Sequence, residues 1–193
     1  MLAFHGTAVR GLQALTPFAN PHSNLKYPCV YLSTNRALAA VYIWNKPYKW
    51  MTFQIREDGL PVYQESFKHG LRELYGGVSG CIYTCRGDFA TDDATTIRHA
   101  VVSTGPVEIE SAELVDDAYE LLLRLEREGL LAIEHFETLT ERQRLRDRSM
   151  VSAAIERLEL LRGEHPLSGF VAEHFPELWS EATARRTAQK PLD

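Results

Sequence analysis

Hydrophobic and polar positions alternate over short runs in the first 110 or so residues and recur at three- and four-residue steps afterwards. Leu2-Ala-Phe-His5, Cys29-Val-Tyr-Leu-Ser33, Trp50-Met-Thr-Phe-Gln-Ile55 and Cys81-Ile-Tyr-Thr-Cys85 are rich in aromatic or β-branched residues, as strands are. Ala100-Val-Val-Ser103 and Val107-Glu-Ile-Glu110 are the last two strand-like runs. A polar loop broken by Pro17, Asn20, Pro21, Asn24 and Pro28 separates the first two runs. Ser33-Thr34-Asn35 supplies N-cap side chains for a helix whose face would carry Ala37, Ala40, Val41 and Trp44. Another helix is expected over 67–75, ahead of Gly76-Gly-Val-Ser-Gly80. Further on, Leu114, Ala118, Leu121, Leu122 and Leu125 share a helical face that Gly129 ends. Thr140 and Gln143 have capping-box spacing before a helix to about residue 161, closed by Gly163 and Pro166, and Pro176 opens a final short helix.

This order of elements predicts an α+β fold. At 193 residues, with 45% apolar and 24% charged side chains, the chain has the composition of one globular domain with room for an appended segment. Residues 1–112 carry ten basic and nine acidic side chains, and residues 113–193 carry eleven and seventeen. Fourteen of the nineteen Phe, Trp and Tyr residues lie in the first part. The expected organisation is therefore an α/β core over 1–112 with an acidic helical segment, 113–193, packed on it. No run approaches the ~20 apolar residues of a membrane span, and the N-terminal residues lack the basic start and long apolar stretch of a secretion signal. Three cysteines, an odd number, fit free thiols and a cytoplasmic location better than a disulfide framework. The net charge of −5 makes nucleic acid an unexpected partner.

Several features have ordinary readings. Cys81 and Cys85 would share a strand face ~13 Å apart, with no second pair at zinc spacing, so no metal is expected. Gly76-Gly-Val-Ser-Gly80 lacks the Lys-Ser/Thr ending of a phosphate loop. Arg142, Arg144, Arg146 and Arg148, interrupted by Asp147, read as a solvated helix face. His22, His69, His135, His165 and His174 stand alone in sequence. His5-Gly6-Thr7, Tyr31-Leu-Ser33 and Tyr42 are different, because a histidine and two aromatic faces on adjacent elements suit a ribose hydroxyl and a stacked heteroaromatic ring. Taken alone, a structural histidine and two core tyrosines account for the same residues.

The ordered set Phe4-His-Gly-Thr7, Leu15-Thr-Pro17, Val30-Tyr-Leu-Ser33 and Ala39-Ala-Val-Tyr42 resembles the ADP-ribosyltransferase superfamily. It is most similar to the diphtheria-toxin-like branch, which includes poly(ADP-ribose) polymerases and rifampicin ADP-ribosyltransferases. The likeness spans about residues 3–44, extends weakly to 112 and leaves out the C-terminal helices. It implies split antiparallel sheets around a cleft and NAD as a substrate, cleaved at the nicotinamide–ribose bond through an oxocarbenium-like transition state. By that resemblance His5 would bond a ribose hydroxyl, backbone groups of Gly6 would receive the nicotinamide amide, and Tyr31 and Tyr42 would sandwich the ring. Thr7 and Ser33 would complete the NAD-binding set, and the ADP-ribose acceptor stays undefined.

The superfamily's late-strand glutamate is missing. Arg98, His99 and Ala100 stand at its expected place, and Glu65 and Glu108 are the candidate substitutes. This departure argues against polymer elongation and leaves mono-transfer, NAD hydrolysis or a catalytically silent NAD- or partner-binding module. An RNA 2′-phosphotransferase-like activity is a further alternative, since the related enzymes use basic residues on the same fold, although their upstream His and Arg signatures are absent here.

Overall fold

The computed structural model describes residues 1–19, 25–50, 52–91, 95 and 97–188. Asn20, Pro21, His22 and Asn24 of the expected loop, and Met51 of an expected strand, lie outside the described residues. The fold is α+β with antiparallel sheets. Contacts divide the chain into two units, the first comprising Met1–Asn45, Phe53–Gln64 and Leu71–Ile133, the second Lys46–Thr52, Glu65–Gly70 and Glu134–Asp193. Residue 112, where the composition changes, falls inside a strand of the first unit.

The first unit is built on a five-stranded antiparallel sheet. In chain order its strands are β1 (Leu2–Thr7), β3 (Val30–Ser33), β6 (Gly80–Arg86), β7 (Ala100–Ser103) and β9 (Ser111–Val115), arranged β7-β3-β1-β6-β9. The short strands β2 (Ala14–Leu15) and β8 (Val107–Glu108) pair antiparallel, as do β4 (Phe53–Ile55) and β5 (Pro61–Gln64), and β10 (Ala132–Glu134) joins β5. Alternation along the strands builds one core cluster from Ala3, Val30, Leu32, Cys81, Tyr83, Cys85 and Val101, joined by Leu15 and Val107 from the β2–β8 ribbon. Cys29, Cys81 and Cys85 are buried, free thiols.

Helix α1 (Arg36–Ala40) starts where expected, with the Asn35 side chain accepting the Leu38 N–H at 2.9 Å. It is shorter than the apolar spacing implied. The Tyr75 hydroxyl donates to the Val41 carbonyl at 2.8 Å, and the Tyr42 and Ile43 amides step back only three residues, to Ala39 and Ala40. Trp44 and Tyr42 therefore lie beyond the helix. Helix α2 (Gly70–Tyr75) begins three residues later than expected, because His69 adopts a left-handed φ of 61° that a continuous helix excludes. Leu114 belongs to β9 and is 66% exposed, not part of a helical face. Asp117 sets the true start of α3 (Ala118–Arg127) by accepting the Tyr119 and Glu120 amides.

In the second unit Thr140 and Gln143 form the expected capping box of α4 (Glu141–Arg157). The helix stops short of 161, since Glu159 takes a left-handed φ of 49° before a 3-10 turn over Leu160–Arg162. Helix α5 (Leu167–His174) was not legible in the spacing, and Pro176 opens α6 (Pro176–Ala188), a full 13 residues. The rings of Trp50, Phe67, Phe170 and Phe175 pack together, with Trp50 5.3 Å from Phe170. Among the described residues no helix is long and apolar enough to cross a membrane.

Candidate functional site

Gly6 stands opposite Ile82 in the β1–β6 ladder and is buried. A Cβ at this position would lie 1.9 Å from the Ala39 carbonyl oxygen. The close approach that this glycine permits is thus that of α1, which is pressed directly onto β1.

β1 and β3 are bridged at Phe4↔Ser33. Directly opposed residues point to one face of a sheet, so Phe4, Tyr31 and Ser33 share a face, while His5 follows Tyr83, its partner on β6, to the other. Tyr31 accordingly packs against Leu25, Cys29 and Val102. His5 spans the seam between the two strands, its Nδ1 2.8 Å from the Tyr31 carbonyl oxygen. A carbonyl only accepts, so Nδ1 carries the hydrogen and Nε2 keeps its lone pair. Burial holds the His5 pKa below its ordinary 6.5, partly offset by the bond to Tyr31, and the ring is neutral at pH 7. His5 is therefore a fixed, neutral hydrogen-bond acceptor at Nε2.

Tyr42 is half-buried, with its ring edge-on to Phe53 at 6.0 Å between centroids. Burial pushes its hydroxyl up to about 12, so it stays protonated. The Ser33 hydroxyl accepts the Asn35 amide at 3.0 Å and shapes the turn into α1. Thr7 Oγ1 accepts the Val9 amide at 3.2 Å at the end of β1. His5, Gly6, Thr7, Tyr31, Ser33 and Tyr42 all belong to the first unit.

The carboxylate candidates have other surroundings. Glu65 belongs to the second unit and is 4% exposed. One of its carboxylate oxygens accepts the Phe136 amide at 3.2 Å and His135 Nδ1 at 3.3 Å. Glu108 is exposed on the β2–β8 ribbon, opposite Ala14. At the head of β7, His99 takes a left-handed φ of 73°. Its Nε2 donates to the Gly59 carbonyl at 3.2 Å, and its Nδ1 accepts the Thr34 hydroxyl at 3.3 Å. Both ring nitrogens are thereby engaged, in one tautomer. Sequence reading placed His99 where an acid was sought but not this latch, because its partners lie 65 and 40 positions away.

No family model, curated protein or solved structure matches the chain.

Proposed function

We propose that the chain is a mono-ADP-ribosyltransferase-like protein of the ADP-ribosyltransferase superfamily, with NAD as its substrate. His5, Tyr31 and Tyr42 bind the nicotinamide riboside part, and the site binds NAD better than it cleaves it. The observation that carries the reading is the bond from His5 Nδ1 to the Tyr31 carbonyl, which leaves a neutral Nε2 to accept a ribose hydroxyl. A protonated imidazole would have no lone pair for that hydroxyl and would repel the positive charge that develops as the glycosidic bond breaks. Tyr42 supplies an aromatic face for the nicotinamide ring, a contact contributing about 0.5–1.5 kcal/mol beyond area burial, while Tyr31, whose ring turns to the other face of the sheet, acts through its carbonyl by fixing His5.

Weak cleavage follows from the acids. The developing oxocarbenium charge needs a carboxylate beside the ribose, and such an electrostatic partner contributes about 10²–10³ in rate. The Glu65 carboxylate is held by His135 and the Phe136 amide, Glu108 is exposed on the ribbon, and His99 is engaged at both ring nitrogens. The same observations favour a nearly silent NAD-binding module over a fast transferase.

The test pairs binding with turnover. NAD is titrated into wild type, Tyr31→Ala and Tyr42→Ala, and nicotinamide release is followed in wild type, Glu65→Gln and Glu108→Gln. Saturable binding at millimolar concentration or below is expected, weakened about 2–10-fold by Tyr42→Ala and little changed by Tyr31→Ala, which keeps the carbonyl that fixes His5. Release is expected to be slow and indifferent to both glutamate changes. Absence of binding, or affinity unchanged in Tyr42→Ala, overturns the assignment. Rapid release abolished by either Glu→Gln change identifies a working acid and overturns the catalytic weakness.

A further inference from the structure

The second unit contains a cavity of about 310 Å³ between the Ser66–Phe67 segment, the start of α4 and the α5–α6 junction. Its apolar walls are the rings of Phe67, Phe136 and Phe175. His174, which also lines it, is stacked on Phe67 at 4.2 Å between centroids, so a flat aromatic array already borders the space.

Two buried polar side chains lie among these rings, Ser66 at 6% and Asp147 at 4% exposure. Ser66 Oγ accepts the Trp50 indole N–H at 2.7 Å, and among the described residues no acceptor takes the Ser66 hydroxyl hydrogen. That hydrogen is a donor for an occupant. The Asp147 carboxylate, which already has a partner in the protein, can only accept further hydrogen bonds, through the lone pairs its two oxygens retain. A donor and an acceptor beside aromatic faces match a flat ring bearing both ring nitrogens or carbonyls and an amino group.

The charged side chains of the lining decide the occupant's charge. Arg144 and Arg148 are balanced by Asp147 and Glu177. Arg144 donates to the Phe136 and Leu139 carbonyls, at 2.9 and 3.2 Å, and lies over the Phe136 ring at 4.7 Å. Arg148 pairs with Glu177 and Glu181. Both guanidinium groups are satisfied by the protein, so the site offers an anion little and a cation no excess of negative charge. The volume lies at the low end of ligand pockets, ~300–1,000 Å³, large enough for one ring system with a sugar-sized substituent and too small for a dinucleotide.

We propose that this cavity binds a neutral, amino-substituted heteroaromatic compound of nucleobase or nucleoside size. The proposal stands apart from the NAD reading, which uses residues of the first unit only.

Adenosine is the probe, titrated into the full chain beside benzylamine and benzoate, flat rings of opposite charge. Adenosine is expected to bind saturably below millimolar concentration and more tightly than either charged ring. Phe136→Ala is expected to weaken it about tenfold by removing a stacking face, and Ser66→Ala to weaken it measurably. In parallel, 8-azidoadenosine is photolysed with wild type, where labelling within 134–148 or 174–178, prevented by excess adenosine, is expected. This second measurement needs no variant, so it decides the matter even if Phe136→Ala fails to fold. No adenosine binding at millimolar concentration, tighter binding of benzylamine or benzoate, or label confined to other segments overturns the proposal. Label confined to 1–45 would assign nucleoside binding to the first unit instead, whereas failure of NAD titration leaves the label in the second unit unaffected.

Discussion

His5 is held neutral because burial disfavours the imidazolium more than the Tyr31 carbonyl favours it. Its folded pKa is depressed, so the folded state binds fewer protons than the unfolded state in the window between that value and 6.5. This histidine's contribution to stability is complete above the window and is lost as pH falls through it. Urea midpoints measured from neutral pH downward should decline across the window, with a smaller slope in His5→Gln. NAD affinity should fall in the same window, since protonation removes the Nε2 acceptor. Gly6 provides a second prediction. Its missing Cβ would fall 1.9 Å from the backbone oxygen of Ala39, which no side-chain rotation relieves. Gly6→Ala should therefore cost about 1–3 kcal/mol, the usual range for overpacking, and should weaken NAD binding as α1 is pushed off β1. Denaturant unfolding and NAD titration of one preparation check both.

The helices of the second unit depend on their ends as much as on their faces. At the start of α4 the Thr140 side chain accepts the Gln143 amide at 3.3 Å, while Gln143 Oε1 accepts the Thr140 amide at 2.9 Å. Gln143 Nε2 also donates to Glu134 at 2.6 Å, which ties the helix start to the end of β10. Thr140→Ala should cost about 1 kcal/mol, the typical value of an N-cap, read as a lower urea midpoint with an unchanged slope. On the sheet side, α1 is anchored by its first residue, since Arg36 forms a two-pronged ion pair with Glu113 of β9. Arg124 of α3 reaches the same carboxylate at 3.4 Å. One carboxylate on an edge strand thus holds two helices.

Over the whole chain, the aromatic core of the second unit borrows from two early segments. Trp50 comes from Lys46–Thr52 and Phe67 from Glu65–Gly70, and both pack against Phe170 and Phe175. A peptide of residues 113–193 lacks both rings and the Ser66 acceptor for the Trp50 indole. It should show no cooperative thermal transition and little amide-shift dispersion by NMR, although it carries nearly all of the acidic helical sequence. A cooperative transition in that peptide would show that the borrowed rings are dispensable.

Features confined to a few neighbouring residues were determined by the sequence itself. The Asn35 cap, the Thr140–Gln143 box, the opening of α6 at Pro176 and the alternation of the main strands all depend on bonds or periodicities that close within about four residues. The α+β class follows from their order. Tertiary structure decided the rest. It placed Leu114 on a strand, latched His99 to Gly59, turned the Glu65 carboxylate toward His135 and Phe136, and filled the space over Gly6 with α1. It also enlisted Trp50 and Phe67 in the second unit. The partner of a buried carboxylate or an oversized ring is whichever segment the folded chain brings beside it, 40 positions away for His99 and 70 for Glu65. Spacing along the sequence holds no record of contacts at that range.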